Sequence, residues 1–218
     1  VVADIGKGTY KYILTDLSAW RAAIKSNTKL FFVETPSNPL TEIADLAGLA
    51  EIAKANGIFL AVDNCFCTPI LQRPIELGAD IVIHSATKYL DGQGRVLGGA
   101  VLGRQDMITE SILPFLRTAG PCISPFNAWV CLKGLETLKI RMEAQCNAAA
   151  ELANWLAKHP NVARVYYPGL PDHPQFELAK RQQKGFGAML SFELKGGEEA
   201  VKAFLSRLEL FCLAESLG

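Results

Sequence analysis

Several things are scarce in this 218-residue sequence, and each scarcity excludes something. Histidine occurs 3 times, at His84, His159 and His173, with no H-E-x-x-H pattern or other ligand pair, so no metal site is expected. The 6 cysteines form no C-x-x-C, and Cys65-Phe66-Cys67 is too closely spaced for a zinc knuckle or an easy disulfide. Small buried thiols in a reducing, cytoplasmic setting are expected instead. Neither sign of charge is in excess, with 22 Lys plus Arg against 22 Asp plus Glu. No basic cluster or arm stands ready to neutralise a phosphate backbone, which argues against a nucleic-acid partner. The longest apolar runs, such as Gly57 to Val62, fall far short of the ~20 residues of a membrane span. No basic and apolar leader of the secretory kind is recognisable, and there is no internal repeat or low-complexity segment.

What is present suits a soluble globular fold. Hydrophobic residues make up 50% and charged residues 20%, enough for a core without general disorder. The length fits one large domain or one domain plus part of another. The chain opens on Val1 rather than Met and stops at Glu215-Ser216-Leu217-Gly218 just after an apolar, strand-like stretch, so both ends of a longer protein are expected to lie outside it.

From Lys29 onward strand and helix alternate. Leu30-Phe31-Phe32-Val33-Glu34 predicts a strand, and Thr35-Pro36-Ser37-Asn38-Pro39 a loop that cannot be helical. Leu46, Leu49, Ala50 and Ala53 share one helix face, and Asn56-Gly57 ends that helix. Further strands are predicted at Ile58–Asp63, Asp80–Ser85 and Val96–Leu102, with a turn-helix at Cys65–Leu77 and a loop at Ala86-Thr87-Lys88-Tyr89. This pattern predicts a mainly parallel α/β sheet covered on both faces. Beyond Met107, long helices are predicted at Pro125–Leu138 and Glu143–His159. Strands at Val162–Tyr167, Ala188–Leu194 and Glu209–Ala214 around a helix at Glu198–Leu208 predict the start of a smaller α/β unit. The boundary is placed near Gln145, giving a large domain at 1–145 and part of a second at 146–218.

Ligands in open α/β sheets sit outside the carboxyl ends of the strands. Three successive predicted strands end in suggestive residues: Asn38 after the first, Asp63 closing the second, and Ser85, Thr87 and Lys88 after the third. Each has an ordinary alternative: Lys88 a solvated charge, Asp63 a cap, Asn38 turn chemistry, Ser85 and Thr87 loop hydroxyls. Their convergence on one sheet edge predicts a shared pocket. The chemistry that uses all of them is that of pyridoxal 5′-phosphate, where a lysine amine binds the aldehyde and an aspartate keeps the pyridine nitrogen protonated.

Asp63-Asn64-Cys65-Phe66 and Ser85-Ala86-Thr87-Lys88-Tyr89 resemble the signature of the pyridoxal-phosphate enzymes of cysteine and methionine metabolism, the trans-sulfuration family. Glu34-Thr35-Pro36-Ser37-Asn38-Pro39, Tyr167-Pro168-Gly169-Leu170, Gly185-Phe186-Gly187 and Ser216-Leu217-Gly218 match further motifs, so the resemblance covers Asp16 to Gly218. It implies a fold-type I, aspartate-aminotransferase-like architecture. Lys88 is implied as the Schiff-base lysine, Asp63 as the pyridinium partner, Ser85 and Thr87 as phosphate ligands, and Asn38 as a neighbour of the phenolic oxygen. Ser216 is implied to hold Lys88 and the substrate carboxylate. The stretch Asp91-Gly92-Gln93-Gly94-Arg95 replaces the Asn-Gly-His usual in cystathionine enzymes and methionine lyases and, together with Asn64-Cys65-Phe66-Cys67-Thr68-Pro69, most resembles the branch that replaces the succinate of O-succinylhomoserine with sulfide. The implied partners are thus an amino-acid substrate and sulfide, in a homotetramer of dimers with shared sites. The family's amino-terminal Tyr and Arg ligands and its carboxy-terminal Arg have no counterpart here. Residues 1–15 match nothing in the family, and a poorly ordered or discontinuous lead-in is expected there.

Overall fold

The computed structural model describes residues 2–4, 9–11, 14–214 and 216–217. It begins with an antiparallel pair, β1 Val2–Asp4 and β2 Thr9–Lys11, where an irregular lead-in was expected. Helix α1, Leu17–Ala22, starts where the Asp16 carboxylate accepts the N–H groups of Ser18 and Ala19.

The central sheet runs in the order β3 Leu30–Glu34, β4 Phe59–Asp63, β5 Ile81–Ser85 and β6 Gly99–Gly103. Helix α2, Leu46–Ala55, makes the β3 to β4 crossover, as the apolar spacing predicts; Asp45 caps it through the Gly48 N–H. The β4 to β5 connection folds into α3, Thr68–Leu71, and a 3₁₀ turn at Pro74–Leu77, which Gly78 ends with a φ of +96°. β3, β4 and β5 are parallel, with Glu34 opposite Asp63 and Asp63 opposite Ile83. β6 is antiparallel to β5 because no helical crossover separates them. The residues expected as a loop at Ala86–Tyr89 form a π-helical turn, Ala86–Leu90.

Side chains alternate across β3, so Phe31 and Val33 are buried with Leu46, Leu49, Ile52, Leu60, Val62 and Trp20 in one core. The other face is open among the described residues: Leu30, Phe32, Phe59 and Val101 are 45–48% exposed. Coverage on both faces was expected, and the described helices supply it on one.

Helices α4, Gln105–Met107, and α5, Leu113–Ala119, joined by a π-helical turn at Ile108–Ile112, form an unexpected helical run after β6. Helix α6, Pro125–Glu136, is capped by Ser124, and only Thr137 separates it from α7, Leu138–Leu156, which runs unbroken through Gln145. β7 Val162–Tyr166 pairs antiparallel with β8 Ser191–Leu194, flanked by α8 Phe176–Gln182 and α9 Gly197–Leu205. The strand expected at Glu209–Ala214 does not form: the segment is irregular, and Leu210, Phe211 and Leu213 are 93%, 68% and 82% exposed. An apolar run becomes a strand only with a neighbour to complete its hydrogen bonds, and none lies beside it among the described residues. No described helix is long and apolar enough to cross a membrane.

Candidate active site

The carboxyl ends of β3, β4 and β5 form one edge, and the candidate residues leave the sheet there. Adjacent parallel strands lie ~4.8 Å apart, so residues ending neighbouring strands share a small neighbourhood. Asp63 ends β4 in register with Glu34, which ends β3. Burial and the charge of Asp63 hold the Glu34 carboxyl above the usual carboxylate range, although the backbone N–H of Asn38 donates to it. Asn38 itself is exposed on the loop that follows.

Asp63 and Ser85 are linked through Cys65. The Cys65 N–H donates to Asp63 Oδ1 at 3.0 Å, and the Ser85 N–H donates to Cys65 Sγ at 2.8 Å. Burial first, then its hydrogen bond with Asp63, pushes the Cys65 thiol up to about 12, so it stays protonated. His84, one residue before Ser85, is buried; burial holds its imidazole below the usual range, against the opposite pull of Asp63.

Lys88 sits inside the π-helical turn, and its own dihedrals, φ −87° and ψ −126°, break the helical path at that residue. Its Nζ lies 3.1 Å from Ser216 Oγ, a contact between residues 128 positions apart. Thr87 Oγ1 accepts the Gly98 N–H at 3.2 Å, which fixes the turn against the start of β6. After the lysine, Asp91 is fully buried and accepts from Arg95 twice, from the backbone N–H at 2.6 Å and from Nε at 2.8 Å. Burial raises the Asp91 pKa, but these bonds and the Arg95 charge outweigh it and hold the carboxyl below the usual range. Arg141 on α7 donates from Nη2 to the Tyr89 carbonyl at 3.0 Å and the Gly134 carbonyl at 2.8 Å. The segment after the lysine is therefore a self-closed turn pinned to α6 and α7.

The structure thus brings Asp63, Ser85, Thr87, Lys88 and the Asn38 loop to one edge, and Ser216 to Lys88. Sequence reasoning passed over Cys65 and Glu34 as site residues. Cys65 stood in plain view two positions after Asp63, whereas the pairing of Glu34 with Asp63 is visible only once the strands are in register. Two clefts of about 600 and 570 Å³ lie elsewhere, beside Arg21 and Asn56 and beside His173 and Phe176. The converging side chains mark the candidate site. Among the described residues no group of three or more His, Cys, Asp or Glu side chains could hold a metal ion.

A mostly parallel sheet whose carboxyl edge presents a lysine, with an aspartate on the neighbouring strand, defines the class as fold-type I pyridoxal-phosphate proteins. The chain belongs to the family described as Cys/Met metabolism PLP-dependent enzymes, whose profile matches residues 5–218. It is 62% identical over 205 residues to O-succinylhomoserine sulfhydrylase of Pseudomonas aeruginosa, covering 94% of this chain and 51% of that protein. It is 51% identical over 205 residues to cystathionine beta-lyase of Coxiella burnetii, covering 94% and 53%. The crystal structure of cystathionine gamma-lyase from Lactobacillus plantarum complexed with L-serine superposes with a TM-score of 0.91 at 43% identity, over 94% of this chain and 54% of that one. The chain spans about half the length of the curated relatives it matches.

Proposed function

We propose that the protein performs a γ-replacement, converting O-succinylhomoserine and sulfide to homocysteine and succinate in methionine biosynthesis. The observation that carries this reading is the Lys88 amine beside the Ser216 hydroxyl on the same sheet edge as Asp63. Similarity to a sulfhydrylase at 62% identity, against 51% to a cystathionine beta-lyase, supports this reaction within the family.

The residues present fit pyridoxal 5′-phosphate. Asp63 and Glu34 place two carboxyl groups side by side, and no ion pair to Asp63 forms among the described residues. That edge is short of positive charge, which a protonated pyridine nitrogen supplies. When bound, the cofactor acts as an electron sink for carbanions at the substrate's α and β carbons. Asp63 would keep the ring-nitrogen proton in place. Ser85 and Thr87 would offer hydroxyls to the phosphate, the Thr87 hydroxyl giving up its 3.4 Å contact with the Gly98 carbonyl, and Asn38 would serve the phenolic oxygen. Lys88 would hold the cofactor aldehyde, and its amine, oriented by the Ser216 hydroxyl, would take up and later return the substrate's α-proton and move a β-proton. The Cγ–O bond to succinate breaks, and a Cγ–S bond to sulfide forms.

The site is completed, on this reading, in a homotetramer built as a dimer of dimers. Its support is an outward apolar stripe on α6, where Phe126, Trp129 and Leu132 are 66%, 55% and 56% exposed. Residues 1–145 act as part of the cofactor-binding domain and 146–218 as the start of the smaller one. Six free thiols, with Cys122 and Cys212 exposed, suit the cytoplasm.

The test gives one preparation O-succinylhomoserine with either sulfide or cysteine. Homocysteine forming far faster than cystathionine is expected. The reverse preference makes the protein a cystathionine γ-synthase, and release of α-ketobutyrate without either nucleophile makes it a γ-lyase. A colourless protein that borohydride leaves unlabelled is a non-catalytic α/β protein.

A further inference from the structure

Gln72, just after α3, has every hydrogen-bonding position of its side chain filled from within the protein, and it is 1% exposed. Its Nε2 donates to the Thr35 carbonyl at 3.1 Å and to Asn64 Oδ1 at 2.9 Å. Its Oε1 accepts from Gln182 Nε2 at 2.9 Å and from Gln183 Nε2 at 3.1 Å. Two donors and two acceptor sites are all that an amide offers. Three distant pieces of chain meet there: the end of β3, the turn that follows β4, and the carboxyl end of α8.

The orientation of this amide is forced. Asn64, fully buried and next to Asp63, spends both Nδ2 hydrogens on the carbonyls of Thr68 at 3.1 Å and Gln72 at 2.9 Å. Its Oδ1 must therefore face the Gln72 side-chain NH₂, and Gln72 Oε1 must face α8. A glutamate at position 72 would set a carboxylate oxygen against two acceptors.

The same network closes the loop that carries Asn38. Thr35 Oγ1 accepts the Ala44 N–H at 3.0 Å, and Gln182 donates to the Ala44 carbonyl at 3.1 Å while accepting the Leu46 N–H at 3.0 Å. Gln72 thus holds Thr35 at the start of the loop, Gln182 holds its end, and both are bonded to each other. On the other side, Asn64 ties the hub to the residue that follows Asp63.

We propose that Gln72 is a positioning residue: it sets the spacing between the Asp63 turn and the Asn38 loop, which flank the cofactor ring, and fastens that spacing to α8. The proposal rests on the assignment of Asp63 and Asn38 to the cofactor made above. Gln72 touches neither cofactor nor substrate and acts only through Thr35 and Asn64. Removing its amide leaves partners unpaired in a dry, low-dielectric setting, so the two flanking segments relax toward other partners.

The experiment titrates resolved apoprotein with pyridoxal 5′-phosphate, following the visible absorption band and its pH midpoint. Gln72→Met keeps length and volume but removes the amide, and an apparent Kd raised about tenfold or more is expected. The pH midpoint of the band also shifts, because Asp63 no longer faces the ring nitrogen at the same distance. A loss of general stability alone lowers the Tm and leaves that midpoint in place. Gln182→Met cuts the bonds to Gln72, Ala44 and Leu46 from the half-buried helix end, and a smaller change in the same direction is expected, about threefold. It decides the matter if Gln72→Met does not fold. Affinity and pH midpoint unchanged in the folded variants overturn the role of Gln72. An unsubstituted protein that fails to take up the cofactor overturns the functional reading itself.

Discussion

At the scale of single residues, the proposed chemistry assigns its central roles to Lys88 and Asp63, and each assignment carries its own test. Lys88→Ala is expected to abolish the visible band, borohydride labelling and exchange of the substrate α-proton, since no other lysine stands beside Ser216 in the described structure. An unchanged spectrum in that variant removes Lys88 from the mechanism. Asp63→Ala is expected to lower turnover by several orders of magnitude, because a ring nitrogen without its carboxylate is a poor electron sink. Turnover near normal would leave Asp63 as the acceptor of the Cys65 N–H and nothing more. Cys65 joins the two ends of the cradle, so its thiol is expected to resist alkylation near pH 8 while exposed Cys122 and Cys212 react, a contrast that peptide mass mapping shows directly.

At the scale of elements, the lysine turn depends on how closely α6 approaches it. A β carbon on Gly134 would lie 2.2 Å from the Leu90 carbonyl oxygen and 2.6 Å from that of Asp91, so helix and turn meet backbone to backbone. Gly134→Ala must push the turn away or bend the helix, at a cost of about 1–3 kcal/mol, and it loosens cofactor binding as well. A melting temperature and a cofactor Kd equal to those of the unsubstituted protein would show that the contact yields without effort. Gly92 has a φ of +68°, and a β carbon there would meet the Arg141 guanidinium at 1.9 Å. Gly92 thus leaves room for the guanidinium that pins the turn. Asp91 and Arg95 are spent on each other, so any influence they have on the choice of nucleophile would act through the position of Lys88.

At the scale of the whole molecule, buried acidic groups tie stability to pH. The Cys65 thiol and the phenols of Tyr89 and Tyr167 are each pushed up to about 12, chiefly by burial. Unfolding returns them to their ordinary values of 9.0 and 10.0, so between about pH 9 and 12 the folded state holds more protons than the unfolded one. Stability present below pH 9 is expected to fall as pH rises through this window. Melting temperatures recorded from pH 8 to 11 check it, and a flat profile contradicts it. Tyr167 adds a second link at this scale, because its hydroxyl donates to the Gly187 carbonyl at 3.1 Å and so joins two of the motifs read from the sequence.

Much was legible without a structure where the information is local. The apolar spacing of Leu46, Leu49 and Ala53 placed α2, and the runs ending at Glu34, Asp63 and Ser85 placed three strands, because side-chain periodicity follows directly from helix and strand geometry. The lysine signature was legible for the same reason: its residues lie within a few positions of one another. The antiparallel return of β6, the open face at Phe32 and Phe59 and the failure of 209–214 to pair were not legible, since each depends on what lies beside the segment in space. The sequence by itself determined the alternation of elements, the strand-end carboxylate and the lysine. The resemblance implied Ser216 beside Lys88, and the tertiary structure supplied the 3.1 Å contact; only the tertiary structure decided that Glu34 stands against Asp63 and that Gln72 gathers Thr35, Asn64 and Gln182. Those hydrogen bonds and pairings join residues up to 128 positions apart, and no local periodicity encodes a partner at such a distance.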